Sequence, residues 1–174
     1  MMSRSTVLAF VLYATAAMPL AAGACAPGTG GHIIPRPTKP AEPRSPTDLL
    51  LRMALAEVLK EPRESVLPRR GPVLLLRDGP HVSPHILPAD TAQGIALVSA
   101  DQLEALAAQP GTDHYYYLSL RVLSMDAQQA VVNVQLFPAI AKGSIAMCCW
   151  TIDRRYLRTA TGWTFDRLVG SGVY

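Results

Sequence analysis

Tyr115-Tyr116-Tyr117-Leu118-Ser119-Leu120-Arg121-Val122-Leu123-Ser124 decides the fold class. Tyr116, Leu118, Leu120 and Val122 share one face of an extended chain, and Tyr117, Ser119 and Arg121 share the other. That period of two marks a strand with one buried side. Met125-Asp126-Ala127-Gln128 predicts a turn in which Asp126 bonds its own backbone. Ala130, Val132, Val134 and Leu136 then alternate with Val131, Asn133 and Gln135, a second strand that Pro138 ends or marks as an edge. After the break Lys142-Gly143-Ser144, a third strand is predicted from about Ile145 to Leu157 and a fourth from Trp163 to Val169. The turn between them runs from Arg158 to Gly162, with Gly162 at positive φ closing a hairpin with a bulge. Strands joined this tightly are antiparallel, because parallel pairs need long crossovers.

Working upstream, Ser99-Ala100-Asp101-Gln102 has the form of a capping box opening a helix to about Ala108, before Pro110-Gly111. Ile95–Val98 is a short strand. Val73–Leu76, an apolar run between Gly71-Pro72 and Asp78-Gly79-Pro80, is a buried strand. Ser45-Pro46-Thr47-Asp48 caps a further helix, with Leu51, Leu55, Val58 and Leu59 as its apolar stripe and Pro62 as its stop. The predicted fold class is α+β: a four-stranded antiparallel C-terminal meander plus two short strands, with two helices packed on one face.

The run Asp126-Ala127-Gln128-Gln129-Ala130-Val131-Val132-Asn133-Val134 resembles a strand-turn pattern of uncharacterised exported bacterial lipoproteins. In them a Gly-Ser stretch, an aromatic-rich strand and a Gly-Trp turn follow, and here Gly143-Ser144, Tyr156 and Gly162-Trp163 stand in that order. The C-terminus departs from the pattern, with Gly170-Ser171-Gly172-Val173-Tyr174 and no closing Trp. The resemblance spans roughly residues 73 to 174 and implies a fold and an exported location, but no activity. The order of elements also resembles the nuclear-transport-factor-2-like fold, a cone of curved sheet around helices.

Residues 1–24 read as a signal peptide: Arg4 is the basic start, Thr6 to Leu20 the apolar stretch, and Ala21-Ala22-Gly23-Ala24 the small residues before a cleavage point. Ala22-Gly23-Ala24-Cys25 resembles a bacterial lipobox, with Ala22 where Leu is usual. It implies that Cys25 receives a diacylglyceryl group, with palmitate-class acyl chains, and becomes the first mature residue. Plain cleavage after Ala24 is the alternative. Ala26 stands where an Asp would direct retention in the inner membrane, so the outer membrane is the expected site, with an unanchored periplasmic protein as the alternative. Residues 25–45 carry Pro27, Pro35, Pro37, Pro40 and Pro43 and are expected to be a tether, reaching roughly 60 Å if extended. Residues 46–174 form the single globular domain. Loss of residues 1–24 removes Arg4 alone from a net charge of +3, leaving 15 basic and 13 acidic residues. A balance of +2 gives no basis for nucleic-acid binding.

Chemistry-bearing residues are few. His81 and His85 have a helical metal-ligand spacing, but Pro80 and Pro84 oppose a helix there, so a solvated loop is expected and the pair are weak metal candidates. Asp113-His114 could form an acid–base pair but lacks a nucleophile motif, and is expected at a strand entrance. Of the three tyrosines, Tyr116 should enter the core and Tyr115 and Tyr117 lie outside. Cys148-Cys149 places one thiol in and one out; free thiols, a vicinal disulfide and a catalytic thiol all stay open, without a CxxC motif. Arg154, Arg155, Arg158 and Arg167 give the meander a basic end that could solvate a face or meet an acidic partner or lipid head groups. No cofactor and no catalytic residue is implied. The sequence favours a non-catalytic envelope binding or interaction lipoprotein with an unknown protein or small-molecule partner. The alternatives are a small periplasmic enzyme or metal-dependent protein using the His81/His85 loop, and a periplasmic toxin-neutralising partner.

Overall fold

The computed structural model describes residues 34–60, 71–91, 94–109, 115–139 and 150–173. Cys25, Cys148, Cys149, Asp113, His114 and the signal segment lie outside them. The chain is α+β, with two helices and a six-stranded mixed sheet. In chain order the elements are α1 (Pro46–Lys60), β1 (Val73–Leu76), β2 (Ile95–Val98), α2 (Ala100–Ala107), β3 (Tyr115–Met125), β4 (Gln129–Ala139), β5 (Trp150–Thr159) and β6 (Gly162–Val173). A single turn of 3₁₀ helix, Pro84–Ile86, sits between β1 and β2. The sheet order is β2-β1-β3-β4-β5-β6. From β3 to β6 every neighbouring pair is antiparallel, whereas β1 runs parallel to both β2 and β3. Among the described residues no helix is long and apolar enough to cross a membrane.

Caps set the helix starts. Ser45 Oγ accepts from the Asp48 amide at 3.0 Å, and Asp48 Oδ2 accepts from the Arg44 amide at 2.8 Å. At α2 the capping box is complete, with Ser99 and Gln102 bonded reciprocally. The β3–β4 turn is closed by Asp126, whose Oδ1 accepts from the amides of Gln128 at 2.7 Å and Gln129 at 2.8 Å. Those two backbone donors hold the Asp126 carboxyl below its ordinary range.

The helices do not share one face of the sheet. Leu50, Leu51, Leu55 and Val58 of α1 bury against Val73, Leu75, Leu118, Leu120, Val132, Val134 and Tyr156. Leu103 and Leu106 of α2 bury against Leu74, Ala96, Val98 and Ala139. Successive residues of β1 therefore serve opposite cores, which is why Val73–Leu76 is apolar without alternation. The expectation of helices on one face does not hold, because the sheet is not antiparallel throughout. The β1–β3 pair, Leu74↔Tyr117 and Leu75↔Leu118, is instead parallel. Its connection must cross the sheet, and α2 takes the face away from α1. For the same reason the sheet does not form a cone around both helices.

Other boundaries shift as well. β4 continues through Pro138, which stands opposite Tyr116 of β3 and lies beyond Leu136↔Trp150, the last described pair with β5. The β5–β6 turn is the two residues Ala160 and Thr161, and Gly162 pairs with Thr159 at φ +142°. The bulges of this hairpin lie further along, at Asp166 and Val169, where the register slips between Arg155 and Tyr156 and between Asp153 and Arg154.

The leader also ends earlier than a tether reaching residue 45 would. The Thr38 amide donates to the Ile95 carbonyl at 2.7 Å, and Thr38 Oγ1 accepts from the Leu97 amide at 3.0 Å. The Ala41 amide donates to the Pro84 carbonyl at 2.9 Å. Arg52 donates to the carbonyls of Ala41 and His85. The segment is a strap bonded along the outer edge of β2 and the 3₁₀ turn.

Candidate functional site

The two histidines do not converge. His81 is exposed in the turn before the 3₁₀ helix, while His85 sits on that helix with Nδ1 2.6 Å from the Glu42 carbonyl, a bond that ties the ring to the strap. Among the described residues no group of three or more His, Cys, Asp or Glu comes together. Tyr116 packs on the α1 core as expected. Tyr115 and Tyr117 do not lie outside; they pack on the second core under α2, and the Tyr117 ring is 5.6 Å from Phe137. The parallel sheet edge gives β3 two covered faces at its start, which alternation alone does not show.

The strap and the loop after the 3₁₀ turn enclose a cleft of about 250 Å3, lined by Pro37, Thr38, Pro40, Leu87, Pro88 and Ile95. Its volume is below the ~300–1,000 Å3 usual for sites that bury a drug-sized ligand. Its walls are largely proline rings and aliphatic groups, with few polar groups to orient a ligand.

The basic end of the meander is not one solvated patch. Arg154 is buried, with its side chain only 4% exposed, and its Nη1 lies 3.7 Å from Glu57 Oε2 of α1. Tyr156, fully buried, donates to the same carboxylate at 3.2 Å. Burial, and next the Glu57 charge, push the Tyr156 hydroxyl well above its ordinary pKa. Arg155 pairs with Asp166 at 2.5 Å on the opposite face, and Arg158 stacks over Trp163 at 5.0 Å. Arg167 is left mostly in solvent, 3.7 Å from Asp166.

Above the buried ion pair the surface turns apolar. Pro46, Leu49, Met53 and Glu57 fall on one stripe of α1 by helical spacing. The foot of that stripe touches β6, where Trp163 Nε1 donates to the Pro46 carbonyl at 3.1 Å. Phe165 stands opposite Tyr156 and Leu168 opposite Arg154, so both point to the α1 side. The Phe165 ring is 5.9 Å from that of Tyr156 and 5.5 Å from the Arg154 guanidinium. Leu49 is 46% exposed, Phe165 38% and Leu168 52%. These three make an exposed apolar seam where α1 borders the last strand.

Neither this seam nor the Glu57–Arg154–Tyr156 cluster is legible from sequence pattern alone. The spacing Phe165, Leu168, Val169 does break the strict alternation of a regular strand, and that break is the signature of the bulges. No protein-family model matches the chain, and neither a curated protein nor a solved structure matches it.

Proposed function

We propose that the chain is a non-catalytic interaction lipoprotein of the bacterial cell envelope, acylated at Cys25, that presents its α1/β6 side to a protein partner. The observation that carries the interaction role is the seam of Leu49, Phe165 and Leu168, apolar side chains left half in water beside a cluster whose own charges are internally paired. The anchor half rests on the sequence: small residues before Cys25, an apolar stretch upstream and a proline-rich leader downstream. A diacylated cysteine holds a membrane stably where one chain alone does not.

The strap supports this arrangement. It is bonded to β2, the edge strand opposite β6. Five strand spacings of ~4.8 Å separate the two edges by roughly 24 Å. The strap therefore lies on the edge away from the seam.

Two measurements test the parts separately. Mass spectrometry of the N-terminal peptide should show the lipid adduct on Cys25, and Cys25→Ser should release the protein from membranes or leave it uncleaved. An unmodified soluble protein beginning at Cys25 overturns the anchor. Crosslinking in whole cells should yield adducts that disappear in the Leu49→Ser, Leu168→Ser variant at equal envelope abundance. Identical adducts in both would show that the seam is not the interaction face.

A further inference from the structure

We propose that the partner on this seam is a second copy of the chain, joined edge to edge through β6 about a two-fold axis between Asp166 and Arg167. This rests on the interaction role proposed above and gives that role its partner. A two-fold contact must be self-complementary, each surface matching its own image. β6 meets that demand in one register, on both faces at once.

The bulge at Asp166 makes this possible. In an unbroken strand Asp166 and Arg167 would point to opposite faces. Here both lie on the face away from α1: Asp166 pairs with Arg155, and Arg155 stands opposite Arg167. An antiparallel copy turned about a point between them sets each Asp166 against the partner's Arg167. The same operation sets each Phe165 against the partner's Leu168, and those two residues share the α1 face. One register therefore matches acid with base on one face and apolar with apolar on the other. Moving the axis onto Asp166 or onto Arg167 would oppose like charges, which destabilises a cross-strand pair.

The opposite edge does not compete. Thr38 already fills the outer backbone positions of β2 through Ile95 and Leu97. Among the described residues β6 has β5 on one side and no strand on the other, and it carries neither Lys nor Pro to blunt its edge. Its two bulges raise the local twist and shorten the stretch that can pair. The contact is therefore small, and its dissociation constant is expected on the order of micromolar.

The test uses the full chain in cells, with a benzophenone amino acid replacing Phe165. Irradiation should give an adduct of twice the mass of the chain as it stands in the envelope. Its protease map should join the peptide ending at Arg167 to the peptide beginning at Leu168. Arg167→Asp should reduce the adduct at least tenfold at equal envelope abundance. Asp166→Arg added to it should restore the adduct, because both cross-strand pairs are then reversed and Arg155 meets Asp at position 167. An adduct to a different protein overturns the second copy while keeping the interaction role. No adduct overturns both. A doubled adduct indifferent to Arg167→Asp overturns the register.

Discussion

Glu57→Ala removes one carboxylate from two buried partners. Arg154 loses a counter-ion 3.7 Å away, and Tyr156 loses the acceptor of its hydroxyl at 3.2 Å. Removing one member of a fully buried ion pair costs ~3–5 kcal/mol, because a charge is left in a poorly solvated place. The Glu57 side chain is 30% exposed, so water already screens part of the attraction. That lowers the expected loss to ~2–3 kcal/mol. Tyr156→Phe removes only the hydroxyl and leaves the carboxylate beside Arg154, for a loss of ~1 kcal/mol. Arg154→Met removes the buried cation and fills its place with apolar atoms, and should cost less than Glu57→Ala. Urea unfolding separates these cases. With a slope of ~2 kcal/mol per molar, Glu57→Ala should lower the midpoint by ~1–1.5 M and Tyr156→Phe by ~0.5 M. If Glu57→Ala shifts the midpoint no more than Tyr156→Phe, Glu57 is not the counter-charge that makes burial of Arg154 tolerable.

Three further outcomes follow from the geometry. Tyr156 keeps its proton in the folded state well above the pH at which an unfolded tyrosine ionises, about 10, so its contribution is complete below about pH 10 and is lost as pH rises through the raised folded value. Stability should fall above about pH 10, and Tyr156→Phe should flatten that part of the slope; equal alkaline slopes in the two proteins would contradict the assignment. Gly162 has φ +142° with nothing within 4 Å of where a Cβ would stand, so Gly162→Val meets backbone strain alone and should cost about 1 kcal/mol or more, read as a urea midpoint. At Gly94, φ +68°, an added Cβ would lie 2.9 Å from Pro37 Cβ, so Gly94→Ala should lift the strap and speed hydrogen exchange at the Thr38 and Ala41 amides while leaving the α1 core protected.

What the sequence made legible were features whose cause is local. Val73–Leu76 and Ile95–Val98 appear where expected, the first an apolar run between Gly71-Pro72 and Gly79-Pro80, the second between Gly94 and the capping Ser99. Ser45 and Ser99 cap their helices because a hydroxyl three residues before a free amide is enough. Ala130, Val132, Val134 and Leu136 alternate inward as written. What stayed hidden depends on distant partners. Nothing near Leu74 announces that it will lie beside Tyr117 in parallel, and that single choice sends α2 to the other face. Arg154 looked like a solvated arginine because its carboxylate arrives on α1, and Tyr156 reaches the same Glu57 across 99 residues of sequence. The proline-rich stretch 34–45 looked like free tether because its bonds go to backbone groups of the β2 edge and the 3₁₀ turn, which composition does not encode.

The buried cluster and the seam are parts of one construction. Phe165 is held from below by the Tyr156 ring and the Arg154 guanidinium, and both are fixed by Glu57. Trp163 is tied to the α1 backbone, and Asp166 is tied to Arg155. The strand therefore presents Phe165 with little rotamer freedom left to lose, and ordering a side chain at an interface otherwise costs about 0.5–1.5 kcal/mol each. A small contact can be specific only if that cost has already been met on folding. Loss of Glu57 should then weaken both the fold and the edge contact, since it loosens the platform beneath Phe165. Leu168→Lys should weaken the contact alone, because Leu168 is half in water and only stands opposite Arg154. If the two variants lower stability and crosslinking in the same proportion, the seam is merely a consequence of the fold and the platform has no separate role in binding.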